Sequence, residues 1–292
     1  MFELDPEQRA AESWFQSLRD RICAAFEAIE DGAEGLPAIP GATPGRFVRT
    51  AWERTDEDGA PGGGGVMSVM RGRVFEKVGV NVSTVHGRFS SEFAPTIHGA
   101  ADDPRFFATG ISLVAHMANP HVPAVHMNTR FLCTTKRWFG GGADLNPALP
   151  VAEDTAAFRA GLKAACDAHD PNHWPEYSAW CDRYFFVPHR GRARGVGGIF
   201  YDHLDCEGDD GFARNFAFTR AVGEAFLAAF PPIVRRRMGQ PWTEADRLAL
   251  LRYRGIYAEF NLIWDRGTQF GLKTGGNVDA ILMSLPPEVR WD

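Results

Sequence analysis

The chain has 292 residues, of which 45% are apolar and 23% charged, the make-up of a globular protein long enough for one large or two small domains. Its 31 basic and 37 acidic residues give a net charge of −6, which argues against a nucleic-acid binder. Five scattered cysteines without a CxxC pair point to reduced thiols in a cytosolic protein, not to a disulfide framework or a zinc site.

The opening MFELDPEQRAAESW is charged throughout and holds no apolar signal core. No run approaches the roughly 18 apolar residues that would span a bilayer, so the expectation is a cytoplasmic protein without a transmembrane segment. Asp5 and Pro6 read as the cap and first residue of a helix. Trp14, Leu18, Ile22, Phe26 and Ile29 then recur at helical spacing. Gly and Pro mark Asp31 to Gly45 as a loop; Arg46 to Arg54 reads as a strand, and the acidic, Gly-rich stretch Asp56 to Gly65 as an exposed connection. From Val74 to Val85, Val78, Val80 and Val82 alternate with Lys77, Asn81 and Ser83. That is the two-faced pattern of an antiparallel strand.

Gly110 to Cys133 reads as a β-hairpin, two apolar arms around a turn at Asn119, Pro120 and Pro123. Strand alternation puts Ser112 and His116 on one face of the first arm, and His126, Asn128 and Arg130 on one face of the second. With His116 opposite His126, Ser112 falls opposite Arg130, and five hydrogen-bonding side chains gather on one side. A hydroxyl, two imidazoles, an amide and a guanidinium make that face the expected floor of a binding site. His121 falls at the tip, where exposure is expected.

Beyond the hairpin, the glycines of WFGGGADLNP would let backbone approach a bulky flat ligand and leave Asp144 projecting at a turn. Glu153 to His169 and Pro175 to Phe186 read as helices. The first packs through Phe158, Leu162 and Cys166, the second through Tyr177, Trp180, Cys181 and Tyr184. His189 to Asp205 joins a basic turn to an apolar strand. Asp210 to Phe230 reads as a helix closed by Pro231 and Pro232, and Thr243 caps a short helix through Leu251. Ile256 to Asp265 reads as a strand, with Tyr257, Glu259, Asn261 and Asp265 on one face and Ala258, Phe260, Leu262 and Trp264 on the other. Strands in runs between helices, without βαβ alternation, predict an α+β fold with an antiparallel sheet.

Four stretches carry a resemblance: HxxNPHVPxxHxNxRF from His116 to Phe131, WFGGGADLNP from Trp138 to Pro147, HRGRARGVGGIFYDHLD from His189, and YAEFNLIWDRGTQFGLKTGG from Tyr257. Together they resemble oxygen-dependent coproporphyrinogen III oxidase, an enzyme of haem biosynthesis, from about Gly62 onward. The resemblance implies a single domain over residues 1–292, a large antiparallel sheet sandwiched between helical layers, and a homodimer. It also makes Gly62 to Gly65 a shaped loop rather than a linker. Dimer contacts are expected within residues 257–292, where the apolar strand face of Ala258, Phe260, Leu262 and Trp264 has little left to cover it.

The implied reaction converts two propionates of coproporphyrinogen III to vinyl groups, giving protoporphyrinogen IX, with O2 as the electron acceptor. Arg suits the substrate's carboxylates, and Arg130, Arg266 and one of Arg252 or Arg254 are the candidates. Asp144 or Asp265 is expected to hold a pyrrole N–H. By resemblance His126 is the proton donor, and Ser112, Asn128, Thr129, Gly275 and Gly276 match substrate-contacting positions. Asn277 replaces a basic residue after the TGG, and Ile256 stands where the family has Arg. No flavin or nicotinamide fingerprint is present, so no organic cofactor is expected. Of four metal-type histidines in bacterial members, His116, His126 and His189 are matched. The fourth position, near Phe158, holds Ala157 and Arg159, which argues against an obligatory divalent metal. A tetrapyrrole-binding protein that kept the pocket and lost the chemistry is the alternative reading.

Overall fold

The computed structural model describes residues 3–36, 41–55, 59–273 and 275–292. Parts of the two expected connections, residues 37–40 and 56–58, lie outside these, as does residue 274 of the last motif. Helix α1 (Pro6–Asp31) opens with a reciprocal Asp5–Gln8 capping box and Pro at its first position. Strands β1 (Val48–Thr55), β2 (Pro61–Met70), β3 (Phe75–Arg88), β4 (Arg105–Met117), β5 (Ala124–Cys133) and β6 (Arg137–Asn146) then follow as a meander. Helices α2 (Ala152–Asp167) and α3 (His173–Tyr184) and a ribbon of β7 (Phe186–Val187) and β8 (Arg192–Ala193) lead to β9 (Gly198–Asp205). The chain continues through α4 (Gly211–Arg237), α5 (Glu244–Ile263), α6 (Arg266–Lys273) and α7 (Val278–Leu282).

Seven strands form one antiparallel sheet in the order β1-β2-β3-β4-β5-β6-β9. One face is apolar: Val78, Val80, Val82, Leu113, Met127, Phe131 and Phe139 bury against Phe15, Phe26, Phe226 and Phe230 of α1 and α4. The other face is polar, carrying Asn81, Ser112, Asn128 and Arg130, and it is crossed by α5, α6 and α7. Phe270 of α6 meets Phe89, which stacks on Phe106. Met283, just past α7, lies against Gly79. The α+β reading and the helical layers on both faces are therefore observed.

Several local expectations change. Gly62 to Gly65 belong to β2 and are not a loop. A Cβ on Gly65 would fall 2.5 Å from the Trp52 ring and one on Gly64 2.2 Å from the Trp52 carbonyl, so bare backbone is what lets β1 close on β2. Pro231 and Pro232 do not end α4, which runs on to Arg237. Ile233 and Val234 beyond them are fully buried, and Arg237 pairs with Asp154 of α2 at 2.7 Å. This helix is long and apolar enough to cross a bilayer, but half of its apolar window is buried within the chain.

The largest correction concerns Ile256 to Asp265. The segment is helical: α5 starts at the Thr243–Asp246 capping box and runs 20 residues. Leu250, Arg254, Tyr257, Ala258 and Asn261 are buried at helical spacing, a period that a nine-residue alternation also happens to fit. Ala258 and Phe260 are thereby covered by their own chain, whereas Leu262, Ile263 and Trp264 remain 50%, 50% and 41% exposed.

Candidate functional site

Strands β4 and β5 pair in a register that places Ser112 opposite Asn128, Val114 opposite His126 and Gly110 opposite Arg130. The expected His116–His126 pairing is shifted by two residues, because the turn is compact, with Asn119 Oδ1 accepting from His121 N at 2.9 Å. An even shift leaves the faces unchanged. Ser112, His116, His126, Asn128 and Arg130 all stand on the polar side, and Thr129 on the buried one. His121 at the tip is only partly exposed.

Asp144 lies within β6, directly opposite His126, and not at a turn. Its Oδ1 accepts from His126 Nδ1 at 2.8 Å and from Arg194 Nη2 at 2.6 Å, and its Oδ2 from Arg194 Nε at 3.2 Å and Asn146 Nδ2 at 3.0 Å. Burial alone would raise this carboxyl, but the Arg194 charge and the His126 hydrogen bond hold it at about 2. Arg194 is sealed as well: its guanidinium sits 4.0 Å from the Phe185 ring centre, 4.7 Å from Phe260 and 4.8 Å from Tyr257. Nη1 donates to Asn261 at 3.1 Å, and the Arg194 carbonyl accepts from Tyr253.

From His126 the row turns outward. Asp144 can only accept at Nδ1, so Nε2 accepts from Asn128 Nδ2 at 3.0 Å, and Asn128 Oδ1 accepts from Arg130 Nη1 at 3.2 Å. Arg130 Nη2 meets Asp202 Oδ2 of β9 at 2.8 Å. Side-chain exposure rises along the row from 2% at Arg194 and 1% at Asp144 to 11% at His126 and 31% at Arg130. The Arg130 end is the most open part of the row, with His126 and Asn128 partly accessible behind it. Around it lie half-buried Ser112 and Asn81 and the side-chain-free Gly110.

Asp265 stands apart from this row. Its Oδ1 accepts from Tyr184 at 3.0 Å and its Oδ2 from Thr268 N and Oγ1, which caps α6. Exposed Arg266 stacks on Tyr184 at 5.0 Å. Gly275, in the left-handed region at φ 70°, and Gly276, whose N–H donates to the Gly271 carbonyl at 2.8 Å, form the α6–α7 connection, and Asn277 Oδ1 caps α7 at Ala280. Thr129 is fully buried on the far face. Arg252 pairs with Asp292 at the surface, and Arg254, 1% exposed, with Glu76 at 2.6 Å, so neither reaches the polar floor as a carboxylate clamp.

The three histidines do not converge. His116 Nε2 bonds the Ser284 carbonyl at 2.9 Å, and burial followed by the Arg254 charge pushes it down to about 3. His126 belongs to Asp144, and His189 joins Glu259 at 2.8 Å and Trp264 at 3.0 Å. Among the described residues no three His, Cys, Asp or Glu side chains are grouped to hold a metal. An open groove of about 380 Å³ between α1 and β2 lies on the opposite face and contains none of the row.

Sequence reasoning missed Arg194, Asn261 and Asp202. Arg194 and Asp202 both fall inside HRGRARGVGGIFYDHLD, but only the fold shows which Arg of that basic turn is buried.

Known proteins answer to the same chain. Residues 10–292 match the family described as Coproporphyrinogen III oxidase. An oxygen-dependent coproporphyrinogen-III oxidase of Rickettsia bellii (strain RML369-C) is 55% identical over 279 residues, 96% of each chain. The protein of that name from Rickettsia africae (strain ESF-5) is 52% identical over 280 residues, 96% of each, and that from Rickettsia felis 52% over 282 residues, 97% of each.

Proposed function

This chain belongs to the coproporphyrinogen III oxidase family, and from that membership and its polar row we infer that it carries out the oxygen-dependent oxidative decarboxylation of coproporphyrinogen III in haem biosynthesis. Two propionates become vinyl groups. Each loses CO2 and two electrons to O2, so one propionic acid and one O2 give one vinyl group, one CO2 and one H2O2.

The observation that carries the reading is the continuous hydrogen-bonded row from buried Arg194 to half-open Arg130. Its open end offers charge-assisted donors to a carboxylate, beside backbone bare enough for a flat macrocycle. Arg130, Asn128 and Ser112 bind the substrate. His126 exchanges a proton through Nε2. Asp144 and Arg194 act through His126 by fixing its ring and tautomer, since neither is accessible to a ring nitrogen. Asp265 and Arg266, with Gly275, Gly276 and Asn277, form the rim on the helical side. Electrons pass from the deprotonated pyrrole to O2 without an organic cofactor. The three separated histidines do not fit a metal, and no step is assigned to one.

Residues 1–292 act as one domain, in the cytoplasm, as a homodimer joined through the surface of Leu262, Ile263 and Trp264 within residues 257–292. Incubating purified protein with coproporphyrinogen III in air and weighing the product tests the function. Loss of two propionate carboxyl groups supports it. Binding without mass change would instead mark a tetrapyrrole-binding protein.

A further inference from the structure

Arg130 and Asp202 stand on β5 and β9, which are not neighbours, because β6 runs between them. Their side chains meet above Gly140 of β6. A Cβ there would lie 2.5 Å from Asp202 Oδ1 and 2.9 Å from Arg130 Nη2, so a side chain at 140 would push the two groups out of their present geometry. The β6–β9 register slips between Phe139 and Gly141, next to this point. Across the slip His203 adopts φ 52°, the one non-glycine residue with positive φ among the described residues. Its N–H donates to Asp202 Oδ1 at 3.0 Å. A bulge re-aims a strand side chain, and left-handed backbone at a residue with a Cβ persists only where its surroundings impose it. The irregularities of β6 and β9 thus meet at one contact with Arg130 of the regular strand β5.

We propose that Asp202 is a positioning residue that orients and partly neutralises Arg130, so that the guanidinium holds the departing propionate without over-stabilising it. The proposal rests on the function inferred above. In the reaction the Cα–carboxyl bond breaks and its electron pair becomes the vinyl double bond. The β-carbon gives up a hydride equivalent, as two electrons and a proton, to O2, which takes a second proton to become H2O2. A carboxylate anion leaves as neutral CO2, so any cation that grips the anion more tightly in the ground state than in the transition state raises the barrier. With Asp202 on Nη2 and Asn128 on Nη1, Arg130 keeps further N–H donors for a carboxylate, but its charge is already partly answered.

Asp202→Asn keeps the shape and the acceptor for His203 N while removing the charge. Coproporphyrin III, an oxidised tetracarboxylate that cannot turn over, serves as the binding probe in a fluorescence titration. The variant is expected to bind it about five- to tenfold tighter, the scale of one half-buried ion pair. It is also expected to show a lower KM together with a kcat about tenfold lower. Asp202→Glu, which restores the charge, should return affinity toward that of the unsubstituted protein. Equal or weaker binding by Asp202→Asn, or a raised KM, overturns the proposal, because a merely structural loss would weaken binding. The titration needs no turnover. A protein that binds the porphyrin but leaves coproporphyrinogen unchanged therefore refutes the function, while the Asp202 comparison still decides the role of the pair.

Discussion

His126 Nδ1 donates to Asp144 Oδ1 at 2.8 Å from directly opposed positions on adjacent strands. The pairing makes His126 an acceptor at Nε2 and sets the polarity of everything between it and Arg130. In Asp144→Asn an amide N–H can face Nδ1 instead, which reverses the tautomer and breaks the bond from Asn128. Turnover should fall by about 10²–10⁴, the span of a lost general acid–base group, with KM changed far less. Steady-state kinetics below the variant's melting temperature test this, and an unchanged kcat contradicts it.

Arg130→Ala should nearly abolish turnover in a folded protein. The side chain is 31% exposed and packs into no core cluster, while loss of a charge-assisted carboxylate contact costs about 2–5 kcal/mol. Arg194→Ala should differ in kind, because it leaves the 1%-exposed Asp144 without its counter-charge. That variant should lose about 3–5 kcal/mol of stability. Thermal melts and kinetics on both variants separate the two roles, and matched behaviour would contradict the assignment.

Glu76 clasps two arginines of α5, Arg247 at 2.8 Å and the buried Arg254 at 2.6 Å. Burial raises its carboxyl, but the Arg247 hydrogen bonds and the Arg254 charge outweigh that and lower it. A carboxyl lowered on folding contributes stability above its ordinary value of about 4.3, and the contribution disappears as pH falls through the lowered folded value. Glu76→Gln should cost about 3–5 kcal/mol at pH 7 and flatten the acid limb of the stability curve. Urea unfolding across pH reads both effects. Equal stability of the two proteins at pH 7 would be the contrary result.

Leu262, Ile263 and Trp264 at the end of α5 are half-exposed apolar side chains in consecutive positions. Light scattering at micromolar concentration should give a dimer, and Leu262→Asp should convert it to monomer. A monomer before substitution, or a dimer indifferent to it, would remove this surface from the assembly.

Strands β3, β4 and β5 were legible because they alternate cleanly, and so was the polar face of the hairpin, since an even error in register does not change a strand's face. Strands β2 and β6 were not, because their glycine runs read as loops. Nor was the α5 segment. Tyr257, Glu259 and Asn261 alternate with Ala258 and Phe260 over too short a span to separate a period of 2 from one of 3.6, and the cap that decides it lies 14 residues upstream at Thr243. Arg194 was visible only as part of a basic turn, since its burial between Phe185, Tyr257 and Phe260 is a long-range property. Asp202 was hidden for the same reason, because its partner lies two strands away.

The central claim is direct transfer of electrons from substrate to O2 in a site that the chain supplies by itself. Its most direct test is stoichiometry: purified protein, coproporphyrinogen III, a chelator and air, with CO2 and O2 measured together. The account predicts two CO2 released and two O2 consumed per macrocycle, no reaction without oxygen, and no anaerobic rescue by S-adenosylmethionine or a nicotinamide. Turnover that dies with the chelator and returns with a divalent ion, or proceeds anaerobically with either additive, would contradict it.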